Sequence, residues 1–218
     1  MADNYLEKRY EEVFGSGGGR KTVVKRVGEP LDRLLLKNRS HRGYDASVTV
    51  TREQLLRIIS VNTKLPSARN QQVLRFRPVT EDSEVEAVLQ HIRLGAALPE
   101  LHLPRAGQEP RAFIVVCSTV AEGRYVDIDL GISVQSMLLK AVEMGLNGIC
   151  ICAFNPTEIT EALHLAYAPL AIVAIGRGAE RIRLVPIHEG DPQNYYRTPD
   201  DIHCVPKLQL EDLLMDSE

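Results

Sequence analysis

Apolar residues recur at two different periods along this 218-residue chain, and the alternation between the two predicts its elements. Thr51-Arg52-Glu53-Gln54 has the form of a capping box, and Leu55, Leu56, Ile58 and Ile59 follow it at helical spacing. That helix ends before Pro66. Val85, Val88, Leu89 and Ile92 mark a second helix over Thr80–Leu94, stopped by Gly95. Leu130, Ile132, Met137, Leu138, Ala141 and Val142 give the longest one, over Asp129–Gly145, a broad apolar face. Gly131, Ser133 and Ser136 on the same helix would admit a close neighbour. Val73–Pro78 should be a strand, and unbroken apolar runs, the signature of strands covered on both faces, fall at Phe113–Cys117, Gly148–Phe154 and Pro169–Gly176. Asn155-Pro156-Thr157-Glu158 reads as a helix start, with a side-chain cap, proline in the first position and glutamate in the third. Leu34–Leu36 belong to a short helix, and 208–214 to another. Pro99, Pro104 and Pro110 make 95–111 a loop, one able to line a substrate cavity. Helices and strands in irregular order predict an α+β fold, a sheet covered by helices.

The length suits one large domain, residues 31–218, preceded by an arm over 1–30. Within the arm, Tyr5, Leu6, Tyr10, Val13 and Phe14 suggest an amphipathic helix over 1–14, and Gly15-Ser16-Gly17-Gly18-Gly19 a flexible linker. That glycine run is no phosphate loop, because no apolar strand leads into it and no Gly-Lys-Ser/Thr follows. Eight Lys/Arg against Glu29 and Asp32 make residues 20–42 locally basic, but aromatic interleaving is missing, so no nucleic-acid partner is expected. A formal net charge of −3 agrees. No apolar run approaches the length of a membrane span. Three of the four cysteines (Cys117, Cys150, Cys152) fall in apolar runs that read as buried strands, and no signal peptide precedes them. Reduced thiols in a cytoplasmic protein are expected, with Cys150 and Cys152 as packing residues. No second ligand pair sits at zinc spacing from Cys150 and Cys152, and His91 and His102 lack partner carboxylates, so no metal is expected. His91 and His102 read as surface residues.

Two stretches carry chemistry. Arg39-Ser40-His41-Arg42 puts two guanidinium groups and a hydroxyl where the first apolar run stops, a donor set suited to a phosphate dianion or to the end of a helix dipole. Pro66-Ser67-Ala68-Arg69-Asn70-Gln71-Gln72 lies 24 residues after Arg42, in the loop between a helix and a strand.

In this order and spacing, with Gly145-Leu146-Asn147-Gly148 before a strand and Ala174-Ile175-Gly176 ending another, the chain resembles the FMN-dependent nitroreductase family over roughly residues 31–215. The resemblance implies a nitroreductase-like fold with a central, mainly antiparallel sheet, as an intertwined homodimer with two FMN sites at its interface and the long helix in the seam. It implies that Arg39, Ser40 and Lys207 grip the phosphate and ribityl chain, with Arg42 near N1 and O2 of the ring. Ser67 and Asn70 would come from the second subunit, with Pro66 packing near the ring and Ala68 among the cofactor-binding residues, and the backbone around Cys152 and Ala153 would face N5. No side chain need act as acid or base. The activity implied is NAD(P)H-dependent reduction of nitroaromatics, quinones or similar small-molecule acceptors. A specialised oxidase or dehydrogenase of the same fold, or a flavin-binding protein without turnover, are the alternatives. Three positions depart from the family pattern: Asn38 in place of Arg, Val73 in place of Pro after Gln72, and Asn147 at the usual second Gly of its turn, where a left-handed conformation is expected. Arg181 and Arg183 are alternatives to Lys207 at the phosphate.

Overall fold

The computed structural model describes residues 30–95 and 99–215. The arm predicted over 1–30, with its helix and linker, lies outside the described residues except for Pro30.

Four strands form the central sheet: β1 (Leu74–Val79), β2 (Phe113–Ser118), β3 (Asn147–Ile151) and β4 (Ala168–Gly176). Their order is β1-β2-β4-β3 and every neighbouring pair is antiparallel, as the sequence led us to expect. One row of partners, Ile151–Ile172–Val115–Arg77, crosses the sheet from edge to edge.

Period-2 alternation divides the side chains of β2 between two cores. Phe113, Val115 and Cys117 join Val79, Ile149, Ile151 and Ile172 under the helices α3 (Asp82–His91) and α5 (Pro156–Ala162). Ile114 and Val116 join Val173 and Ile175 under α2 (Arg52–Ile59) and α4 (Arg124–Glu143), through Leu55, Ile58, Met137 and Ala141. All six β2 residues are therefore buried, which is why that stretch reads as an unbroken apolar run.

The caps form as the sequence requires. The Thr51 hydroxyl accepts from the Gln54 amide while the Gln54 side chain accepts from the Thr51 amide. Asn155 Oδ1 accepts from the amides of Thr157 and Glu158, with Pro156 next to it.

Three expectations need correction. The long helix begins at Arg124, five residues before Asp129, because Gly123 already accepts the first helical bond, from Asp127 (3.0 Å). β3 stops at Ile151, and Phe154 makes only a single bridge with Ile92. The left-handed residue of the preceding turn is Gly145 (φ +77°), not Asn147, whose side chain instead accepts the Gly178 amide at 3.0 Å.

The cysteine expectation fails in part. Cys117 and Cys204 are buried, but Cys150 and Cys152 are exposed, because β3 is an edge strand whose face is left bare at that end. At the other end of the same face the packing is close: a Cβ on Gly148 would stand 2.7 Å from Leu138 Cδ2 and 2.6 Å from the Ala174 carbonyl. Partial burial and the neighbouring Cys152 thiol push Cys150 up to about 12, so it is an un-ionised thiol at neutral pH.

Beyond β4 the chain builds a second, three-stranded sheet. β5 (Arg181–Ile187) runs parallel to β7 (Ile202–Leu208), and β6 (Tyr196–Arg197) pairs antiparallel with the other side of β7. A helix α1 (Leu31–Lys37) precedes the first sequence motif, and a single turn α6 (Leu210–Leu213) follows β7.

Candidate cofactor site

The first motif leaves α1 as a short crossing of the sheet's end. Arg39 turns back to donate to the Leu35 carbonyl (2.7 Å), where its charge meets the negative end of the helix dipole. Its Nε is buried without a partner, and burial lowers its affinity for its proton. A buried guanidinium N–H is rarely left unpaired, so this one is a donor in want of an acceptor. It lies beside a cleft of 310 Å³ lined by Lys37, Arg39, His41, Asn147 and Glu180. Ser40 then bridges Gly148 at the start of β3, and the His41 amide donates to the Gly148 carbonyl at 3.2 Å. Ser40 is exposed.

Arg42 is held from several sides. Its backbone amide donates to Glu180 Oε2, as does the Gly43 amide (3.2 Å). Its guanidinium donates to the Ser40 carbonyl (3.2 Å), stands 3.5 Å from His203 Nε2, and lies over the Tyr195 ring at 5.0 Å. Glu180 in turn forms a buried ion pair with Arg197, side chains 5% and 8% exposed, so its charge is matched inside the protein. His41 and His203 are both buried, and desolvation holds both imidazoles below their ordinary proton affinity, with Arg42 adding to the effect.

The second motif sits at the other edge of the sheet. Residues 66–72 lead into β1, three strand spacings from β3, or about 14 Å. The Ala68 amide donates to the buried Asp129 carboxylate (2.9 Å), and the Ser67 hydroxyl accepts from the Gln72 amide (3.0 Å). Arg69, Asn70 and Gln72 all have positive φ, between 50° and 54°, so the loop is wound tightly enough to expose Pro66 and Asn70. A mainly apolar groove of 280 Å³ beside it is lined by Leu65, Pro66, Ser67, Phe76, Asp129 and Ile132.

The residues named from the sequence therefore fall into three groups. Arg39, Ser40 and Arg42 lie at one end of β3, and Cys152 and Ala153 just past its other end. Pro66, Ser67, Ala68 and Asn70 occupy the β1 edge. Lys207 stands alone on β7, four residues, or about 13 Å, beyond His203. Asn38 takes the Gln135 side chain as partner (3.3 Å). Glu180, Tyr195 and His203, which contact Arg42, and Arg197, which pairs with Glu180, were missed as site residues, because they lie far along the chain and carry no motif.

The nitroreductase family profile matches residues 35–177. This chain belongs to the nitroreductase family. The family is flavin-dependent, and the chain is accordingly an oxidoreductase of that family. Solved structures share the fold. A nitroreductase family protein from Clostridium novyi NT is 22% identical, with TM-score 0.57 over 69% of this chain and 86% of its own. Nitroreductase A from Vibrio parahaemolyticus is 22% identical, with TM-score 0.56 and 78% of each chain covered. The FMN and NADPH-dependent nitroreductase NfnB, from a Sphigopyxis strain, is 20% identical, with TM-score 0.57 over 69% of this chain and 89% of its own. Nothing among the curated proteins matches. No helix among the described residues is long and apolar enough to cross a membrane.

Proposed function

We propose that this nitroreductase is an FMN enzyme that uses NAD(P)H to reduce nitroaromatics, quinones or related small molecules, and that it works as a homodimer. One observation carries the reading: the Arg39–Arg42 cations stand at one end of an edge strand whose outer face, at Cys150 and Cys152, is bare. Arg39, with its unpaired buried Nε, and the exposed Ser40 fit a phosphate. The exposed end of β3, running into Cys152 and Ala153, fits a flat ring. When bound, FMN supplies the hydride chemistry between a nicotinamide donor and the acceptor.

The protein's part is positional and electrostatic. Arg42 is a fixed cation, and a fixed cation stabilises negative charge that develops beside it during hydride transfer. Pro66, Ser67, Ala68 and Asn70 are at the wrong edge of the sheet to reach β3 of their own chain, but a second copy would supply them. Apolar residues fit the same picture: Leu36 is 63% exposed on α1, and Tyr125 57% on the first turn of α4, faces that a second copy would cover. The cytoplasm is the expected compartment.

The visible spectrum of the purified protein after FMN addition and desalting tests the reading. Flavin bands retained at one FMN per chain support it, and rapid bleaching by NADH or NADPH in a stopped-flow instrument completes it. Loss of all flavin would overturn it. Bands that bleach only with an organic substrate would point to an oxidase or dehydrogenase, and bands without turnover to a binding protein.

A further inference from the structure

Apart from the Ser40 carbonyl, the partners of Arg42 (Glu180, Tyr195 and His203) and Arg197, which pairs with Glu180, all lie beyond residue 177, where the family match ends. They belong to the C-terminal sheet. Glu180 immediately precedes β5, Tyr195 immediately precedes β6, Arg197 is the last residue of β6, and His203 is the second residue of β7. The sheet is closed on itself by Arg197, which pairs with both Glu180 and Asp201 (2.9 Å to Oδ1), while Arg105 makes a two-bond fork to Asp201 at 2.8 Å each. Its inner surface presents an aromatic face and an imidazole to one guanidinium. The Tyr195 and His203 rings meet edge to face with centroids 5.1 Å apart, and Arg42 lies over the tyrosine.

We propose that this small sheet is a clamp that holds the Arg42 guanidinium in one orientation, with Tyr195 and His203 as its positioning residues. An arginine side chain has about 2 kcal/mol of rotamer freedom to lose. A cation whose freedom is already lost before the ligand arrives acts without reorganising, and that is the condition under which it stabilises charge best. Glu180 fixes the backbone end of the same residue through two amides. Tyr195 and His203 fix the far end. The consequence for the cofactor rests on the function proposed above; the clamp itself does not.

Nuclear relaxation of the arginine Nε–H groups in the flavin-free chain decides the clamp directly. In the wild type the Arg42 order parameter is expected near that of rigid backbone, about 0.85, and in Tyr195→Leu it falls below about 0.6. Tyr195→Phe, which keeps the ring, restores it. His203→Gln, which keeps an acceptor, stays closer to wild type than His203→Leu. A mobile Arg42 in the wild type, or one equally ordered in Tyr195→Leu, overturns the clamp whether or not flavin binds. In the loaded protein, Tyr195→Leu should reduce the preference for reduced over oxidised FMN roughly threefold to tenfold, read as a shift in midpoint potential. The same substitution made on top of Arg42→Ala should shift it no further. An equal shift in both backgrounds would mean that Tyr195 does not act through Arg42. Absence of bound FMN in the wild type would sink the function while leaving the relaxation result to stand.

Discussion

At the scale of single residues, the segment 39–44 is fixed by how closely the chain packs around it. A Cβ on Gly178 would lie 2.2 Å from His41 Nδ1, and one on Gly176 would lie 2.6 Å from Tyr44. Gly178→Ala must therefore displace the His41 ring, and with it residues 39–44. We expect a lower melting temperature together with weaker FMN retention, measured by thermal denaturation and by flavin content after desalting. The two buried histidines also set a pH dependence. Both are neutral in the folded state and bind protons less readily there than in the unfolded chain. Their contribution to stability is thus fully present above about pH 6.5 and is lost as pH falls below it, since the unfolded chain then binds more protons. Urea midpoints taken between pH 7.5 and pH 5 should fall, and His203→Gln should flatten the slope. A pH-independent midpoint would contradict the burial argument. Arg39, Ser40 and Arg42 were legible in the sequence because their chemistry is concentrated in a few residues. Glu180 and His203 were not, since the contacts they make with Arg42 span 138 and 161 residues.

Elements were legible where the signal is local. The capping box at Thr51 and the Asn155 cap both form, because a cap is a contact between residues two or three apart. Asn155→Ala removes the acceptor for two amides and should cost about 1 kcal/mol, read as a lower urea midpoint. An unchanged midpoint would mean that solvent satisfies those amides equally well. Element ends without a side-chain cap were less legible. Gly123 starts α4 with no side-chain cap, so the apolar periodicity that begins in earnest near Leu130 misplaces the start. β3 was read three residues too long for a related reason. An apolar run continues through Phe154, but its partner strand is paired only as far as Ile151, and hydrophobicity does not report where pairing stops. Exposure of Cys150 and Cys152 follows from the same blindness. A strand at the edge of a sheet and one at its centre can carry the same residues, and only the order β1-β2-β4-β3 tells them apart.

At the scale of the whole molecule, the order of strands keeps the two sequence motifs at opposite edges of one sheet. Arg42 stands at the β3 edge and Asn70 leads into the β1 edge, so under the proposed function each chain would carry complementary halves of two different sites. The sequence supplied both motifs but not their separation, which is set by sheet topology. If a two-fold dimer joins the halves, each site takes its cations from one protomer and its Pro66–Asn70 loop from the other. Arg42→Ala and a loop variant such as Asn70→Ala, each weak in flavin retention as a homodimer, then give a specific result when unfolded and refolded together. Every mixed dimer contains one site with both defects and one with neither. Random assortment makes half of the dimers mixed, so roughly a quarter of the wild-type flavin content should return. The measurement is flavin absorbance per chain after desalting, with the two parents refolded separately as controls. Recovery shows that the two residues reach one site from different chains. No recovery, with mixed dimers demonstrated by differently tagged chains, would mean that Arg42 and Asn70 do not meet across an interface, and the shared site would have to be abandoned.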